Sequence, residues 1–449
     1  MYIDFLLERF KTNADKDAIV WKQRAYTYRE LLGEIEKWTA WLDKEQVKQN
    51  EIVSLEADFS PKSVALMLAL VERGCCIVPL TASVENKKGE FRRVSQVERI
   101  IEITASDDVR ISRTDAQVTH PLLLELRKRG GHPGLVLFSS GSTGASKGAL
   151  HDFVPLLEKF KVPRHAKRMI TFLLFDHIGG VNTLLYCLSN AGCAVTVEER
   201  SPAVVAKAIQ DFKVQILPTS PTFLNLLILS DAYQKYDLSS LETITYGTEP
   251  MPENTLKRTH EVFPTVTLQQ TYGLSELGIM RSKSKSSDSL WVKIGGEGFE
   301  TRVVDGLLEI KAQSAMLGYL NAESPFTADG WFKTGDLVEV DGEYMRILGR
   351  KSEMINVGGE KVYPAEIESV ISEMDEIEEV VVTGEPNPIM GSIVKATIRL
   401  KPGVAKDQFK QRLQAYCKGK LAPFKVPQRV VFQDEKLYSD RFKKLRATF

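Results

Sequence analysis

Helix-like and strand-like patterns alternate along most of this chain, and this alternation restricts its fold more than any other feature. Residues 27–30 (TYRE) form a capping box, which predicts the start of an amphipathic helix that continues to Leu42. A second apolar segment with helical character ends at Gly74, and the run CCIVPL that follows is typical of a buried strand. Because the same order recurs downstream, the sequence predicts an α/β fold.

The pattern changes after Leu337. Short predicted strands and turns are followed by a helix that begins at Pro364, two further strands, and a helix within KDQFKQRLQAYCKGK. We therefore expect a large N-terminal domain over residues 1–349 and a small α+β domain over residues 350–449. The polar residues 281–289 (RSKSKSSDS) are predicted to form an exposed loop.

Composition and charge exclude several classes of function. The 449 residues include 59 Lys and Arg and 59 Asp and Glu, so the formal net charge is zero. The charge balance therefore does not indicate a nucleic acid partner. No apolar run approaches the roughly 18 residues of a membrane-spanning helix, and the N-terminal residues lack the pattern of a secretion signal. The five cysteines are odd in number and lack metal-ligand spacing, so we expect a cytoplasmic protein in a reducing compartment.

Residues 135–150 (LVLFSSGSTGASKGAL) contain the clearest chemical signal in the chain. A short apolar strand is followed by hydroxyl side chains and by glycines that allow backbone N–H groups to converge on one point, and Lys147 adds a positive charge. Such a loop suits a phosphate chain, although it does not match the G-x-x-x-x-G-K-[ST] phosphate loop. A flexible Gly/Ser surface loop is the alternative that composition alone leaves open.

Four motifs, in family order, closely resemble those of the adenylate-forming superfamily, which includes acyl-CoA synthetases, adenylation domains of peptide synthetases and luciferases. They are SSGSTGASKG, QTYGLSELG, WFKTGDL and LGRKSEMINVGGEKVYPAEIE. The resemblance implies an α/β N-terminal domain of layered mixed sheets and helices with a small β-barrel-like part, and a small mobile α+β C-terminal domain. It also implies that a carboxylate attacks ATP to give an acyl-adenylate and pyrophosphate, and that a thiol then displaces AMP.

The resemblance implies roles in nucleotide binding for several residues. Tyr272 would stack on adenine, and Asp336 would accept hydrogen bonds from both ribose hydroxyls with help from Arg350. Glu276 would hold Mg²⁺, and Thr143 would assist catalysis through phosphate or water. The phosphate loop would wrap the β- and γ-phosphates, and two further segments would contact the nucleotide; these residues are Ser139, Ser140, Gly141, Ser142, Thr143, Gly144, Lys147, Gly247, Thr248, Glu249, Gly273 and Ser275.

The resemblance places the adenylation lysine at Lys443, in SDRFKKLRATF, where Phe442 replaces the usual glycine. Lys444 is the competing candidate and would otherwise be a solvated lysine. Ser352 occupies the hinge position, and Gly358 and Gly359 would line the thiol tunnel after the C-terminal domain rotates.

The acid pocket is the part that the sequence describes least well. His177, in LLFDHIGG, would lie beside the substrate carboxylate. Asp176 also fits amino-acid-activating domains, in which an Asp after Phe pairs with the substrate ammonium. Gly179 and Gly180 hint at room for a sizeable acyl or aryl group.

Three functions remain open at this point. An acyl- or aryl-CoA ligase is favoured; a free-standing adenylation enzyme that loads a carrier protein and a non-catalytic nucleotide-binding relative are the alternatives. The resemblance implies ATP, Mg²⁺, and CoA or the phosphopantetheine of an acyl carrier protein. We expect a small carboxylic acid as substrate, a homodimer as one option, and neither a nucleic acid nor a membrane span. The sequence identifies neither the acid nor the thiol acceptor.

Overall fold

The computed structural model describes residues 1–140 and 146–446; residues 141–145 and 447–449 and the side chain of Ser140 lie outside the description. Up to Arg350 the chain folds mainly into three β-sheets, with helices packed against them around shared hydrophobic cores. The helices of this part are Asp4–Thr12, Tyr28–Lys44, Pro61–Arg73, Lys88–Val94, Pro121–Arg127, Phe153–Glu158, Ile178–Ser189, Pro202–Phe212, Pro221–Leu229, Ala232–Lys235 and Glu253–Val262, with a 3-10 helix at Ala82–Lys87.

The first sheet has seven strands, and only its last pair is antiparallel. The strands are, in spatial order, Thr267–Gln270, Thr243–Tyr246, Ile216–Thr219, Arg168–Ile170, Cys193–Val195, Asp17–Trp21 and Arg24–Thr27. Parallel strands end at the same edge of a sheet, and in open α/β sheets ligands bind outside that edge. Three of these strands therefore present the segments after Thr219, Tyr246 and Gln270 to one place.

The second sheet is mixed and contains the strands on either side of residues 141–145. Its strands are, in order, Gly318–Tyr319, Ser146–Asp152, Gly134–Ser140, Cys76–Leu80, Ile52–Glu56, Arg99–Ile103 and Val109–Arg113. Ser139 pairs with Lys147 in the antiparallel register of the two flanking strands. Asn321 braces the second of them, since its side chain accepts a hydrogen bond from Gly148 N and donates one to Ser146 O, both at 2.9 Å.

The third sheet has six strands and is antiparallel throughout. Its strands are, in order, Arg281–Ser284, Trp291–Gly295, Tyr344–Arg350, Phe332–Asp341, Leu307–Ala312 and Phe299–Val304, and a separate hairpin joins Gly273–Leu274 to Gly278–Ile279. The prediction of a loop over residues 281–289 is wrong for its first half, because Arg281–Ser284 is the edge strand of this sheet. The register of the sheet places Asp336 opposite Arg350.

The remaining residues build a smaller α+β unit around a core that includes Ile367, Val382 and Phe409. It contains two helices, Pro364–Ile371 and Phe409–Lys418, 3-10 turns at Lys351–Glu353 and Pro423–Lys425, and a sheet of Glu360–Val362, Ile355–Val357, Gly391–Leu400, Ile377–Asn387 and Arg429–Phe432. The division of the chain after residue 349 stays a prediction.

Several local predictions are confirmed. Thr27 and Glu30 make the reciprocal hydrogen bonds of a capping box at the start of Tyr28–Lys44. The helix Pro61–Arg73 ends at Gly74, which has the left-handed φ of 75° that glycine adopts without strain. Pro364 is the first residue of its helix.

All five cysteines are buried and unpaired. Burial raises the pKa of Cys193 and of Cys417 to about 11, and it raises that of the other three thiols as well, so all five stay protonated near neutral pH. Within residues 1–140 and 146–446, no helix combines the length and apolar character that crossing a membrane requires.

Two glycines should respond in opposite directions to substitution by alanine. A Cβ on Gly180 would lie 1.9 Å from Leu174 O, so this glycine allows a close approach of backbones and does not provide room for substrate. We expect Gly180→Ala to lower the free energy of unfolding by about 1–3 kcal/mol. Gly33, in the helix Tyr28–Lys44, has nothing within 4 Å of such a Cβ, and Gly33→Ala should raise stability by about 0.5–1 kcal/mol. Urea denaturation followed by circular dichroism measures both, and changes of the same sign would contradict this account of Gly180.

Candidate active site

A cavity of about 1980 Å³ lies at the carboxyl edge of the first sheet, between it, the third sheet and the C-terminal unit. It brings together most of the residues that the sequence singled out, namely Ser139, His177, Gly247, Thr248, Glu249, Tyr272, Gly273, Ser275, Glu276, Asp336, Arg350, Ser352 and Lys443. Gly141, Ser142, Thr143, Gly144 and the side chain of Ser140 lie outside the described residues. Lys147, Gly358 and Gly359 are described but do not line the cavity.

Asp336 is the centre of a polar cluster on the third sheet. Tyr272 donates its hydroxyl to Asp336 Oδ2 at 2.5 Å, and Arg350 Nε lies 3.5 Å from Asp336 Oδ1. The backbone N–H of Asp336 donates to Thr334 Oγ1. Burial raises the pKa of Asp336, and the charge of Arg350 opposes that rise. The carboxylate is thus held in one orientation at the wall of the cavity.

Glu276 is buried on the same side of the cavity. Tyr319 donates its hydroxyl to Glu276 Oε1 at 2.6 Å, and the ammonium of Lys147 lies 5.3 Å from the centre of the Tyr319 ring. In the described part of the chain, here or elsewhere, no group of three or more His, Cys, Asp and Glu side chains is arranged to hold a metal ion. Glu276 Oε2 accepts no hydrogen bond from any described residue, so it can act as an oxygen ligand to a cation.

His177 caps the N-terminus of the helix Ile178–Ser189 at the cavity wall. Its Nδ1 accepts a hydrogen bond from Gly179 N at 3.0 Å, which leaves Nε2–H as the donor of a neutral ring. Burial lowers the pKa of His177 well below its ordinary value, and the positive charges of Lys443 and Arg441 lower it further. The ring is therefore neutral at physiological pH.

Lys443 enters the cavity on a segment that polar contacts on both sides of it hold against the larger part of the protein. On one side of Lys443, Arg441 Nη2 lies 3.2 Å from Asp176 Oδ2, and Ser220 donates its hydroxyl to Phe442 O at 2.9 Å. On the other side, Lys444 N donates to Glu249 Oε2 at 3.2 Å.

Phe442 combines an unusual backbone with a large buried contact. Its φ of 51° lies in the left-handed region, which costs a non-glycine residue about 1–2 kcal/mol. Its ring packs against Phe172, Phe223 and Tyr438, with centroids 5.2–5.4 Å away. The backbone geometry explains why a glycine would suit this position, and the aromatic contacts offset the loss of that glycine.

Lys443 is half-buried, and its ammonium forms no ion pair with any carboxylate of the described residues. Burial lowers its pKa to about 8, with further lowering by Arg441 and Arg350, while Glu249 and Glu276 oppose the shift. The nucleotide-free protein therefore loses this charge as the pH rises through about 8. A bound polyanion would favour the charged form, since an opposite charge nearby stabilises it.

One expectation about a neighbouring residue is corrected. Lys444 is not a solvated lysine, because its Nζ lies 2.8 Å from Oε2 of Glu368, which is buried and also pairs with Arg446. Glu249 lines the cavity as predicted, but its carboxylate is committed to Lys444 N and to the backbone and side chain of Thr222.

Sequence reasoning missed the partner of Asp176. It considered this carboxylate as a partner of a substrate ammonium, but Asp176 Oδ2 accepts hydrogen bonds from Thr81 at 2.9 Å and from Arg441 at 3.2 Å. The pairing joins residues 265 positions apart, and no local pattern encodes it. The one available signal was that Asp176 and Arg441 carry opposite charges and that each lies in a segment singled out by the resemblance.

Gly358 and Gly359 form the exposed turn between the strands Ile355–Val357 and Glu360–Val362. Both have a left-handed φ, of 61° and 94°. Gly358 N donates to Met390 O at 2.8 Å. In this arrangement of the chain the predicted thiol tunnel is not formed by these two glycines.

Comparison with known proteins identifies the family. Residues 6–330 match the model of AMP-binding enzymes, and residues 366–442 match that of the C-terminal domain of AMP-binding enzymes. The chain belongs to the AMP-binding enzyme family. The superfamily fold expected from the motifs is confirmed.

Two curated relatives and one solved structure align with this AMP-binding enzyme over nearly its whole length. Indoleacetate–CoA ligase from Aromatoleum aromaticum is 28% identical over 94% of this chain and 92% of its own. 2-Succinylbenzoate–CoA ligase from Enterococcus faecalis is 25% identical over 95% and 94%. The crystal structure of an anthranilate CoA ligase in complex with anthranoyl-AMP has a TM-score of 0.83 at 22% identity, covering 99% of this chain and 95% of that one, and it supports the fold.

Removing Arg441 should weaken adenylate formation through the position of Lys443. Arg441→Met leaves Asp176 buried and without its cationic partner, and a hydrogen bond to a charged group contributes about 1.5–3 kcal/mol. We expect acid-dependent pyrophosphate release to fall about tenfold or more, while thioester formation from supplied acyl-adenylate is retained. Arg429→Met is the matched control, since Arg429 is an exposed residue of the same unit that pairs with Glu385. Equal losses in both variants, or in both half-reactions, would contradict the role given to Arg441.

Proposed function

We propose that this AMP-binding enzyme activates a carboxylic acid with ATP, as an acyl-adenylate with release of pyrophosphate, and then transfers the acyl group to the thiol of CoA. The observation on which the proposal depends is that Lys443 enters the same cavity as Asp336 and Glu276. The relatives aligned over nearly the whole chain are CoA ligases, which supports CoA as the acceptor.

The cluster around Asp336 suits the nucleoside part of ATP. A carboxylate can accept from two vicinal hydroxyls, and the contacts with Tyr272 and Arg350 fix its orientation toward the cavity. We assign adenine to the space between Tyr272 and residues 247–249. Gly273, Ser275 and the phosphate loop complete the nucleotide site in this proposal.

Glu276 fits the requirements of a Mg²⁺ ligand. Mg²⁺ is usually bound through one or two carboxylates together with substrate phosphates and water, and Glu276 offers one free carboxylate oxygen. When bound, the ion would neutralise negative charge on the phosphate chain. Tyr319 orients the carboxylate, because it occupies the other oxygen.

The first half-reaction needs a cation between two anions. A carboxylate oxygen of the acid attacks the α-phosphorus, the bond to the bridging oxygen of pyrophosphate breaks, and negative charge accumulates on the α-phosphoryl oxygens. The ammonium of Lys443 stabilises that charge in a cavity where electrostatic interactions are stronger than in water. His177, held as a neutral donor by Gly179, orients the acid carboxylate.

The second half-reaction requires the C-terminal unit to move. The thiol sulfur attacks the acyl carbon, AMP leaves, and the thiol proton is lost to solvent. We propose that Ser352, in the 3-10 turn Lys351–Glu353, is the hinge, and that rotation brings the exposed turn at Gly358 and Gly359 to the cavity. The same path would admit the phosphopantetheine of a carrier protein.

The five free cysteines support a reducing compartment such as the cytoplasm.

The test of this function is pyrophosphate release from ATP, measured for fatty, aromatic, dicarboxylic and amino acids, with and without CoA. Release that depends on one acid class, with a thioester formed only when CoA is present, supports the proposal. Release without any acid would instead indicate a plain ATPase. Acid-dependent release without a CoA thioester would indicate a different acceptor.

Lys443→Ala should slow adenylate formation by about 10²–10³, the usual effect of removing one preorganised donor to a developing charge. Thioester formation from supplied acyl-adenylate should persist, because the lysine has by then left the site. Lys444→Ala should cost less than tenfold, since Arg446 keeps Glu368 paired. Single-turnover assays of the two half-reactions measure both variants. If Lys444 alone proves essential, the assignment of the lysine is wrong.

Asp336→Ala should weaken binding of ATP and AMP by about tenfold to a hundredfold, because the ribose loses a charged acceptor. Asp341→Ala is the control: Asp341 lies at the end of the same strand, is exposed and pairs with Lys285. Isothermal titration calorimetry measures both affinities. Unchanged affinity in Asp336→Ala would remove Asp336 from the nucleotide site.

A further inference from the structure

The wall of the cavity beyond His177 is polar. Residues of the helix Ile178–Ser189 line it at helical spacing, as Gly179, Asn182, Thr183, Tyr186 and Ser189. Three of these residues carry hydroxyl groups and one an amide, so this face of the helix offers hydrogen bonds to a substrate, while Phe160, Ile178 and Ile279 contribute apolar area to the same cavity.

Lys159 lies against this polar wall. Its Nζ donates to Asn182 Oδ1 at 2.5 Å and to Ile279 O at 2.9 Å, and its side chain lines the cavity. An ammonium has three N–H donors, so these two neutral acceptors leave one donor without a partner among the described residues. The centre of the Phe160 ring lies 5.0 Å from Nζ, and neither this ring nor the two acceptors carries a negative charge. The ammonium is thus fixed between the helix and the hairpin Gly273–Leu274/Gly278–Ile279.

No described carboxylate forms an ion pair with Lys159. The neighbouring Glu158 is exposed and pairs with Lys161 instead. Residues 141–145, which the structure does not describe, contain no acidic side chain. Burial lowers the pKa of Lys159 to about 8, and the positive charge of Arg164 adds to that effect. A cation kept in a cavity wall without a protein anion is suited to an anionic ligand.

Lys443 and Lys159, whose ammonium groups pair with no described carboxylate, line the same cavity. His177, beside Lys443, and Asn182, which contacts Lys159, are five residues apart in one helix, which corresponds to a rise of about 8 Å. We propose that the acid substrate is a dicarboxylic acid, whose first carboxylate reacts near His177 and Lys443 and whose second carboxylate pairs with Lys159. This inference rests on the proposed ligase function.

Matched acids that differ only in the second carboxylate provide the test. Hexanoic and hexanedioic acids, octanoic and octanedioic acids, and phenylacetic and 4-carboxyphenylacetic acids are compared by acid-dependent pyrophosphate release and by calorimetric binding in the presence of AMP. The enzymes are the unaltered protein, Lys159→Met, Lys159→Arg and Lys161→Met. Lys161 also lines the cavity but is exposed and already paired with Glu158, so it controls for the loss of a nearby charge that the protein itself neutralises.

The readout is the ratio of kcat/KM for each diacid to that for its monoacid. We expect at least one diacid to be preferred about tenfold or more by the unaltered protein. Lys159→Met should reduce that ratio about tenfold to a hundredfold, whereas Lys159→Arg and Lys161→Met should keep it. If no diacid exceeds its monoacid in turnover or binding, or if Lys159→Met lowers both acids equally, the inference is wrong. Absence of release with every acid would contradict the ligase function itself, and the calorimetric ratio would still decide the role of Lys159.

Discussion

Lys443 reaches the cavity because the residues on both sides of it are held against the larger part of the protein. Arg441 pairs with Asp176, the Phe442 carbonyl accepts from Ser220, and Lys444 N donates to Glu249. Each contact alone is modest, but together they fix a short segment that has little secondary structure of its own. The complete active site therefore exists only while this segment is docked.

Docking also explains why positive charges in the cavity lack carboxylate partners among the described residues. Lys443 and Lys159 line it without an ion pair to any described carboxylate, while Glu249 and Asp176 are occupied by the docked segment. Desolvated charges without partners are costly in the empty protein. A nucleotide and a carboxylic acid together would supply the missing negative charge, so neutralisation of these two lysines would contribute to the binding free energy of both substrates.

Local sequence patterns predicted the elements well and the long-range pairs poorly. The capping box at Thr27 and the helix end at Gly74 are encoded within a few residues, and the structure shows both. The contacts of Lys444 with Glu249 and of Ser220 with Phe442 join residues 195 and 222 positions apart, and no local pattern specifies such partners.

The loop predicted from composition at residues 281–289 was partly wrong, and the resemblance identified only part of the candidate site. The strand Arg281–Ser284 alternates exposed and half-buried residues at a sheet edge, where charged side chains are common. Its polar residues are therefore equally compatible with a loop, which is how they were interpreted. Most of the residues that the resemblance singled out line the cavity, but the motifs gave no indication of Lys159, because its neighbours are set by the packing of a helix against a hairpin.

The burial of all five cysteines has a consequence for the chemistry of the protein. None of them lines the cavity, and their raised pKa values keep the thiolate population very low at neutral pH. Thiolates, and not thiols, are the effective nucleophiles. An activated acyl group held in this cavity would thus meet no sulfur nucleophile of the protein, so self-acylation is suppressed. For the same reason, a thiol-reactive dye added to the folded protein would report free CoA against a low background.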